Sequence, residues 1–309
     1  MLACQGAHAQ DYPAKSVRII VPSSPGGGTD ATARIVAPRL GELLHQQVVV
    51  ENRAGAAVML GSEYVARAAP DGYTLLVAPS TLVIVPSLYR KMRFDPVRDF
   101  APVSKLIVIP QLLVSHPSVP ARTLKELMTL ARAKPGQLDY GAGAYGGNGH
   151  MSMVLFLMMT GLNINHIPYK SGNAGIVETL SGEVPIMMGN LLTLMPHVRA
   201  GKLRGYGVTS ARRASGIADI PTLAESGVPG YDSSQWFGLL APAGIPSAVI
   251  TRLHRDITRV LADADVRKRF QYDGGEAEGS ASPEEFAAFL RADLAKWARV
   301  VKAAGLKQQ

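Results

Sequence analysis

Three consecutive glycines stand at one turn of this 309-residue chain, in Val21-Pro22-Ser23-Ser24-Pro25-Gly26-Gly27-Gly28-Thr29-Asp30. The run before them, Val17-Arg18-Ile19-Ile20-Val21, reads as a buried strand, and a helical pattern begins near Asp30. Glycines at a strand-to-helix turn leave backbone N–H groups bare. Together with the positive end of the helix macrodipole, such groups can hold an anion. The same glycines also serve simply to make the turn. A second segment of this kind is Gly141-Ala142-Gly143-Ala144-Tyr145-Gly146-Gly147-Asn148-Gly149-His150, which again follows a strand pattern and precedes a helix pattern. In open α/β sheets ligands sit beyond the carboxyl ends of strands. Two such loops, one in each half of the chain, could grip one small anion from opposite sides.

Asp30 at a helix start favours the dipole and can cap N–H groups. It could also order the glycine loop or meet a ligand ammonium group. His150 fits a packed position at a helix start better than a titrating ligand contact. Tyr145 could stack on an aromatic ligand or donate its hydroxyl, or it is a plain loop tyrosine. Lys170 either adds positive field to the cleft or is a solvated lysine.

The elements that must position these loops alternate. Strands are predicted at Val17–Val21, Val48–Asn52, Thr74–Ala78, Leu138–Gly141, Ile164–Ile167, Val184–Met188 and Leu203–Thr209. Val103–Ser115 is an extended apolar segment broken by Pro110. Helices are predicted from Glu63 to Ala69, from the Thr123–Glu126 capping box to Lys134, and from His150 to Leu162. Pro38 should kink or shorten the first helix. The C-terminal third is helical. Its last helix opens at Ser282-Pro283-Glu284-Glu285 and carries the stripe Phe286, Phe289, Leu290, Leu294, Trp297, Val300 and Val301 as core. Strand–helix alternation implies parallel sheets covered by helices on both faces.

Composition excludes several roles. The hydrophobic fraction is 47% and the charged fraction 18%, ordinary for a chain with a real core. No run approaches the roughly 18–20 apolar residues that span a bilayer. The net charge is +8, but the lysines and arginines are scattered and aromatics are few, against a nucleic-acid binder. The single cysteine, Cys4, cannot form an internal disulfide. There is no Gly-x-Ser-x-Gly elbow, Walker Gly-Lys-Ser/Thr, His-Glu-x-x-His helix or Gly-x-Gly-x-x-Gly fingerprint, and the seven histidines do not cluster. No paired carboxylates stand near the glycine loops, so an enzyme acting on a small acid is disfavoured, and no cofactor or metal is expected. Ala7-His8-Ala9 fits the small-x-small pattern before a signal cleavage site, with residues 1–10 as a signal remnant or an N-terminal extension.

The ordered set of short motifs resembles the Bug (TctC-type) family of periplasmic solute receptors of tripartite tricarboxylate transporters. It covers nearly everything after Asp11: Val21-Pro22 with Gly26-Gly27 and Asp30; Val50-Glu51-Asn52-Arg53-Ala54-Gly55; Pro70-Asp71-Gly72-Tyr73-Thr74-Leu75; Asp95-Pro96 with Asp99-Phe100-Ala101-Pro102-Val103; His166-Ile167-Pro168-Tyr169-Lys170; Gly201-Lys202-Leu203-Arg204; Pro221-Thr222-Leu223-Ala224-Glu225; Trp236-Phe237-Gly238-Leu239-Leu240-Ala241-Pro242; and Lys296-Trp297-Ala298 with Ala303-Ala304-Gly305. The resemblance implies a two-lobed type II periplasmic binding protein fold, each lobe a mainly parallel sheet flanked by helices. Lobe 1 would be discontinuous, 11–107 plus 235–309, and lobe 2 would be 108–234. The implied crossover lies near Ser104–Pro110 and the return near Asp232–Trp236.

The resemblance implies a small carboxylate as ligand, a dicarboxylate or aromatic acid above all, held by backbone amides, hydroxyls and waters. The expected ligand-binding set is Pro25, Gly26, Gly27, Gly28, Thr29, Asp30, Ser80, Tyr145, Gly146, Gly147, Asn148, His150, Tyr169 and Lys170. It implies an exported monomer cleaved near Ala9, working in the periplasm with the membrane subunits of the transporter. A membrane sensor kinase is the alternative partner. The chain departs from the family where specificity is set. Gly147, Asn148 and Gly149 stand where Ser or Thr usually precedes the histidine, Tyr145 replaces a small polar residue, Ser171-Gly172 follows Lys170, and Gly189 replaces a frequent acidic residue.

Overall fold

The computed structural model describes residues 12–306 and 308, apart from 144, 170, 171, 215, 216, 218 and 273. The signal-cleavage expectation at Ala9 and Cys4 lie outside the described residues.

The first half of the chain alternates strand and helix: β1 Val17–Val21, α1 Gly28–Leu44, β2 Val48–Asn52, α2 Met59–Ala66, β3 Thr74–Pro79, α3 Thr81–Leu88 and β4 Phe100–Ile109. Pro110 has no N–H to give a ladder and divides β4 from β5, Gln111–Ser115. Next come α4 Leu124–Ala133, β6 Asp139–Ala142, α5 Asn148–Thr160, β7 Asn165–Pro168, α6 Gly172–Ser181, β8 Ile186–Asn190, α7 Leu191–Arg199 and β9 Arg204–Val208. The chain ends with β10 Gln235–Pro242, α8 Ser247–Ala262, α9 Ala264–Tyr272, β11 Glu276–Ala277 and α10 Pro283–Ala303.

Two sheets result. One has the order β11-β4-β10-β3-β1-β2 and the other β7-β6-β8-β5-β9. In the first, β1 pairs in parallel with β2 and β3, while β10 runs antiparallel between β3 and β4, and β11 antiparallel on β4. In the second, β6 pairs in parallel with β7 and β8, while β5 runs antiparallel between β8 and β9. Both sheets are therefore mixed: β10 and β5, the first strand after each crossing, are each inserted against a parallel unit. The strand-helix order announces the parallel units and is silent about these insertions.

The crossing segments lie against one another. Gln111 N donates to Thr209 Oγ1 at 2.7 Å, Thr209 N donates to Gln111 O at 2.9 Å, and Ser233 N donates to Thr209 O at 2.9 Å. Strands β1 and β3, inside the first sheet, are buried on both faces: Val17, Ile19, Ile20 and Val21 are all inaccessible to solvent, as are Leu75 to Ala78. That double burial is why β1 and β3 read as continuous apolar runs rather than alternating ones. The last helix, α10, seals one face. Trp236 Nε1 donates to Asp293 Oδ2 at 2.8 Å, and Phe286 presses on Gly238, where a Cβ would lie 2.3 Å from the ring. The capping box at its start forms, with Glu285 N donating to Ser282 Oγ at 3.2 Å. The other expected box holds too, Glu126 N donating to Thr123 Oγ1 at 3.2 Å.

Several boundaries differ from expectation. The first helix starts at Gly28, two residues before Asp30, and runs through Pro38 to Leu44 without being shortened. The second helix starts at Met59, ahead of Glu63, and ends at Ala66. Its approach is strained: Ala56, Ala57 and Val58 have φ of 46°, 51° and 73°. Left-handed backbone costs an L-residue roughly 1–2 kcal/mol, and glycine escapes that cost at the expense of about 0.5–1 kcal/mol of chain entropy. Ala57 is exposed, so Ala57→Gly loses no packing. The substitution should raise the free energy of unfolding by up to about 1 kcal/mol in urea titration, and Ala57→Val should lower it; a fall for the glycine variant would contradict the strain.

Candidate functional site

The two glycine loops have the same backbone construction. Gly26 adopts φ 81° and Gly146 φ 76°, left-handed values that suit glycine. The next glycine is the N-cap of a helix in each case: Gly27 at φ −80°, ψ 167° for α1, and Gly147 at φ −70°, ψ 163° for α5. Neither N-cap has a side chain to bond the first turn, so the amides there receive no N-cap side-chain acceptor. Each loop is instead braced one residue earlier, across four residues. Gly26 N donates to Asp30 Oδ2 at 2.9 Å, and Gly146 N donates to His150 Nδ1 at 3.1 Å.

The braces differ in charge. Asp30 is 3% exposed, and its carboxylate accepts from Arg34 Nε at 3.0 Å and from Asn52 Nδ2 at 2.9 Å. Asn52 also donates to Ser23 O at 3.1 Å. Burial pushes the Asp30 carboxyl up, but the hydrogen bonds from Arg34, the Gly26 amide and Asn52 outweigh it and hold the group below its ordinary value. Asp30 therefore orders the glycine loop, one of the roles its place at the helix start allowed, and its carboxylate is engaged by groups of the protein.

His150 is 2% exposed and sits in a column of rings: Tyr145 tilted on it at 5.0 Å, His166 stacked at 4.2 Å, and Tyr140 stacked on His166 at 5.0 Å. Burial, then the neighbouring His166, lower its pKa to about 4. With Nδ1 accepting from Gly146, the imidazole is neutral and carries its proton on Nε2. The packed reading of His150 stands.

The remaining expected residues fall into place around these loops. Pro25 to Gly28 are exposed, while Thr29 is buried at the start of α1. Ser80, at the β3–α3 junction, is buried, and its Oγ donates to Asn148 Oδ1 at 2.9 Å. This bond joins the first sheet's strand ends to the second loop's helix. Leu88 of α3 adds to the contact, for a Cβ on Gly146 would lie 2.6 Å from its Cδ1. Tyr145 is 37% exposed, one ring face against His150. Tyr169 packs over the base of the second loop, where Cβ atoms on Gly141 and Gly175 would lie 3.3 and 3.4 Å from its ring. Lys170 lies outside the described residues. Cavities of about 900, 600 and 480 Å3 open elsewhere on the surface, and neither loop lines any of them.

The structure adds residues that motif reading did not place at the site. Arg34 and Asn52 complete the Asp30 brace, Phe237 lies under Gly28, where a Cβ would come within 3.1 Å of its ring, and His166 supports His150. Ser23 has a buried hydroxyl without a hydrogen-bond partner among the described residues. The four-residue spacing of Asp30 and Arg34 was the one signal available beforehand.

Comparison with known proteins agrees with this fold. The family model "Tripartite tricarboxylate transporter family receptor", TctC, matches residues 32–306, and the chain belongs to that family. It is 35% identical to Protein BugT of Bordetella pertussis over 301 residues, 97% of this chain and 92% of the relative. The solved structure of R. palustris Rpa4515 with adipate superposes with a TM-score of 0.81 at 35% identity, covering 97% of this chain and 100% of that one. MatC of Rhodopseudomonas palustris with bound malate gives 0.76 at 28%, covering 94% and 100%. The periplasmic binding protein BugD gives 0.77 at 31%, covering 96% and 100%.

The neutral His150 has a consequence for stability. Its pKa falls from 6.5 in the unfolded chain to about 4 in the fold. Between those values the unfolded state binds the extra proton, so stability is full above the upper value and falls as pH drops toward the lower one. Urea titrations between neutral and mildly acid pH should show this slope, and His150→Gln should flatten it; an unchanged slope in the variant would place the titrating group elsewhere.

Proposed function

We propose that this protein is a periplasmic solute-binding receptor that takes one small carboxylate between two lobes and delivers it to the membrane subunits of a tripartite tricarboxylate-type transporter, working as an exported monomer. In this proposal lobe 1 is residues 11–107 with 235–309, and lobe 2 is 108–234. The observation that carries it is the repeated loop. Two helix N-termini, one from each sheet, offer amides without a capping side chain at Gly27–Thr29 and Gly147–Gly149, and Ser80 at the end of β3 in the first sheet bonds to Asn148 of the second. Uncapped amides at helix starts favour a carboxylate. Two such places suit an acid with two separated anionic ends, or one carboxylate shared between them. Relatives of the same fold hold adipate and malate, which supports the class.

Closure follows from differential contact. An open form leaves both sets of amides to water, and an anion bound to both favours the form that brings them together. The lines Gln111–Thr209–Ser233, where the chain crosses between sheets, are the place for the hinge. Ser23 Oγ and the first-turn amides are the groups an anion or its waters would satisfy.

The test is calorimetry of refolded, ligand-stripped protein against a panel of dicarboxylates and aromatic acids. Gly27 and Gly147 have backbone angles that any residue adopts, so Gly27→Val and Gly147→Val should keep the melting temperature and lose binding. Asn148→Ala, which removes the Ser80 partner and the amide, should weaken binding several-fold without abolishing it. Wild-type affinity in either valine variant, or chemical turnover of a bound acid, would overturn the proposal.

A further inference from the structure

A cluster of cationic side chains lies away from the glycine loops. A cavity of about 900 Å3 is lined by the starts of β1 and β3, by α2 and by Arg93. Its cations are held in pairs, each pair sharing one carboxylate. Glu51 lies 2.7 Å from Arg53 Nε and 3.8 Å from Arg18. Glu63 lies 2.9 Å from Arg67 and 3.7 Å from Arg93. Lys15 adds its ammonium over the Tyr73 ring at 4.3 Å. Asp71, the third carboxylate here, accepts from the Tyr73 N–H in its own turn. Five cations thus face three carboxylates, and the surplus is positive.

The guanidiniums are also oriented. Arg53 lies on the face of Tyr64, 3.6 Å from the ring centroid, and Arg18 approaches the same ring at 6.0 Å. An arginine flattened on an aromatic keeps its N–H edge for a planar acceptor, at a lower ordering cost than a free lysine. This oriented pair and the Arg67–Arg93 pair, side by side through the adjacent residues Tyr64 and Glu63 of α2, suit several carboxylates spaced along a chain better than one small ion. The groove is also coupled to the first glycine loop. Arg53 N donates to Val21 O at 2.8 Å, and α2 rests on the strand leading to the loop so closely that a Cβ on Gly61 would meet Pro22 Cα at 2.8 Å.

We propose that this groove docks an acidic peptide segment of a protein partner. Resting on the receptor proposal above, the partner is the membrane component that receives the ligand, and contact at α2 reports on the segment that carries the first glycine loop.

The experiment is fluorescence anisotropy of a labelled peptide of alternating Glu and Gly with the full protein, at low and raised salt. Arg18→Ala/Arg53→Ala and Arg67→Ala/Arg93→Ala should each weaken the peptide by about tenfold or more, and Arg53→Lys should not behave as wild type. The charge-matched double variant Arg299→Ala/Lys302→Ala, on the exposed side of α10, should leave peptide affinity unchanged. Equal loss in that control would reduce the effect to net charge and overturn the proposal. Inorganic phosphate bound as tightly as the peptide through the same arginines would make it a small-ion site, and phosphatidylglycerol vesicles bound in place of the peptide would make it a membrane surface; either overturns it. Carboxylate calorimetry on the groove variants separates the two proposals. Retained acid binding with lost peptide binding supports both, peptide binding without any acid binding defeats only the receptor, and acid binding without any peptide binding in wild type defeats only the groove.

Discussion

A helix start that is to hold an anion has to leave its own amides unsatisfied, and a glycine loop has no side chains with which to hold itself in that state. Here the conflict is resolved by one bond used twice: the N–H of the left-handed glycine goes to an acceptor four residues on, Gly26 to Asp30 and Gly146 to His150. The brace satisfies the amide just outside the helix and leaves those of the first turn bare. A further set of residues serves the two acceptors. A buried carboxylate without compensation is costly, so Asp30 draws in Arg34 and Asn52, and Asn52 in turn ties down Ser23. A buried imidazole is accommodated by remaining neutral and stacking, so His150 draws in Tyr145, His166 and, behind them, Tyr140. The same backbone geometry thus arises from two unrelated chemistries. The first loop carries a compensated ion pair behind its amides, and the second carries only dipoles and rings.

The sheets place these loops at comparable ends of comparable parallel units, and the inserted strands keep the two units in relation. β10 returns into the first sheet beside β4, the strand by which the chain left it, with Gln235 opposite Ile109. The outgoing and returning segments are therefore neighbours, and Thr209 bonds to both Gln111 and Ser233. In the receptor proposal a change of angle between the sheets would turn on these few backbone residues and would also release the Ser80–Asn148 bond and the Leu88 contact at Gly146. Each brace lies within its own loop and first helical turn, so a hinge motion in the receptor proposal would leave both braces intact.

Much of this was legible in the residues. Strands β1, β2 and β3 announced themselves as apolar runs, and the capping boxes at Thr123 and Ser282 marked two helix starts because a side chain does the capping there. Where glycine is the N-cap, no side chain gives the signal, and α1 and α5 each begin two residues earlier than their sequence pattern suggests. Helices α3 and α7 were not marked in advance. Thr81–Leu88 is apolar almost all round and contains Pro86, so burial on several sides erased its amphipathic pattern. Leu191–Arg199 keeps Leu191, Leu194 and Met195 buried at helical spacing, but it is short and interrupted by Pro196. The insertion of β10 and β5 against parallel neighbours is a property of long-range pairing that local pattern does not carry. The glycine loops could be found by spacing, whereas their bracing partners could be named only in part. Asp30 and His150 were visible at the helix starts, but Asn52 and His166 reach them from other strands.

Because the braces are internal, in the receptor proposal a ligand does not have to order the loops, and little of its binding energy would go into fixing them. The cost of that economy is discrimination. Bare amides ask only for negative charge in the right place, and they ask it in the same way at both loops. In the receptor proposal the identity of the acid must therefore be read by the few groups near the amides that are not glycine. Those are the Ser80–Asn148 bond, the unpartnered Ser23 hydroxyl, and the exposed part of the Tyr145 ring. Tyr145 is the one of these with a large apolar face. One side of it is already committed to His150, so what its exposed part meets depends on a ring column anchored in the second sheet rather than on the loop itself. Anion capture and ligand choice are thus assigned to different parts of the same loop, one by backbone and one by side chain. Sequence can then change at Tyr145 and Asn148 while Gly26, Gly27, Gly146 and Gly147 keep their conformations.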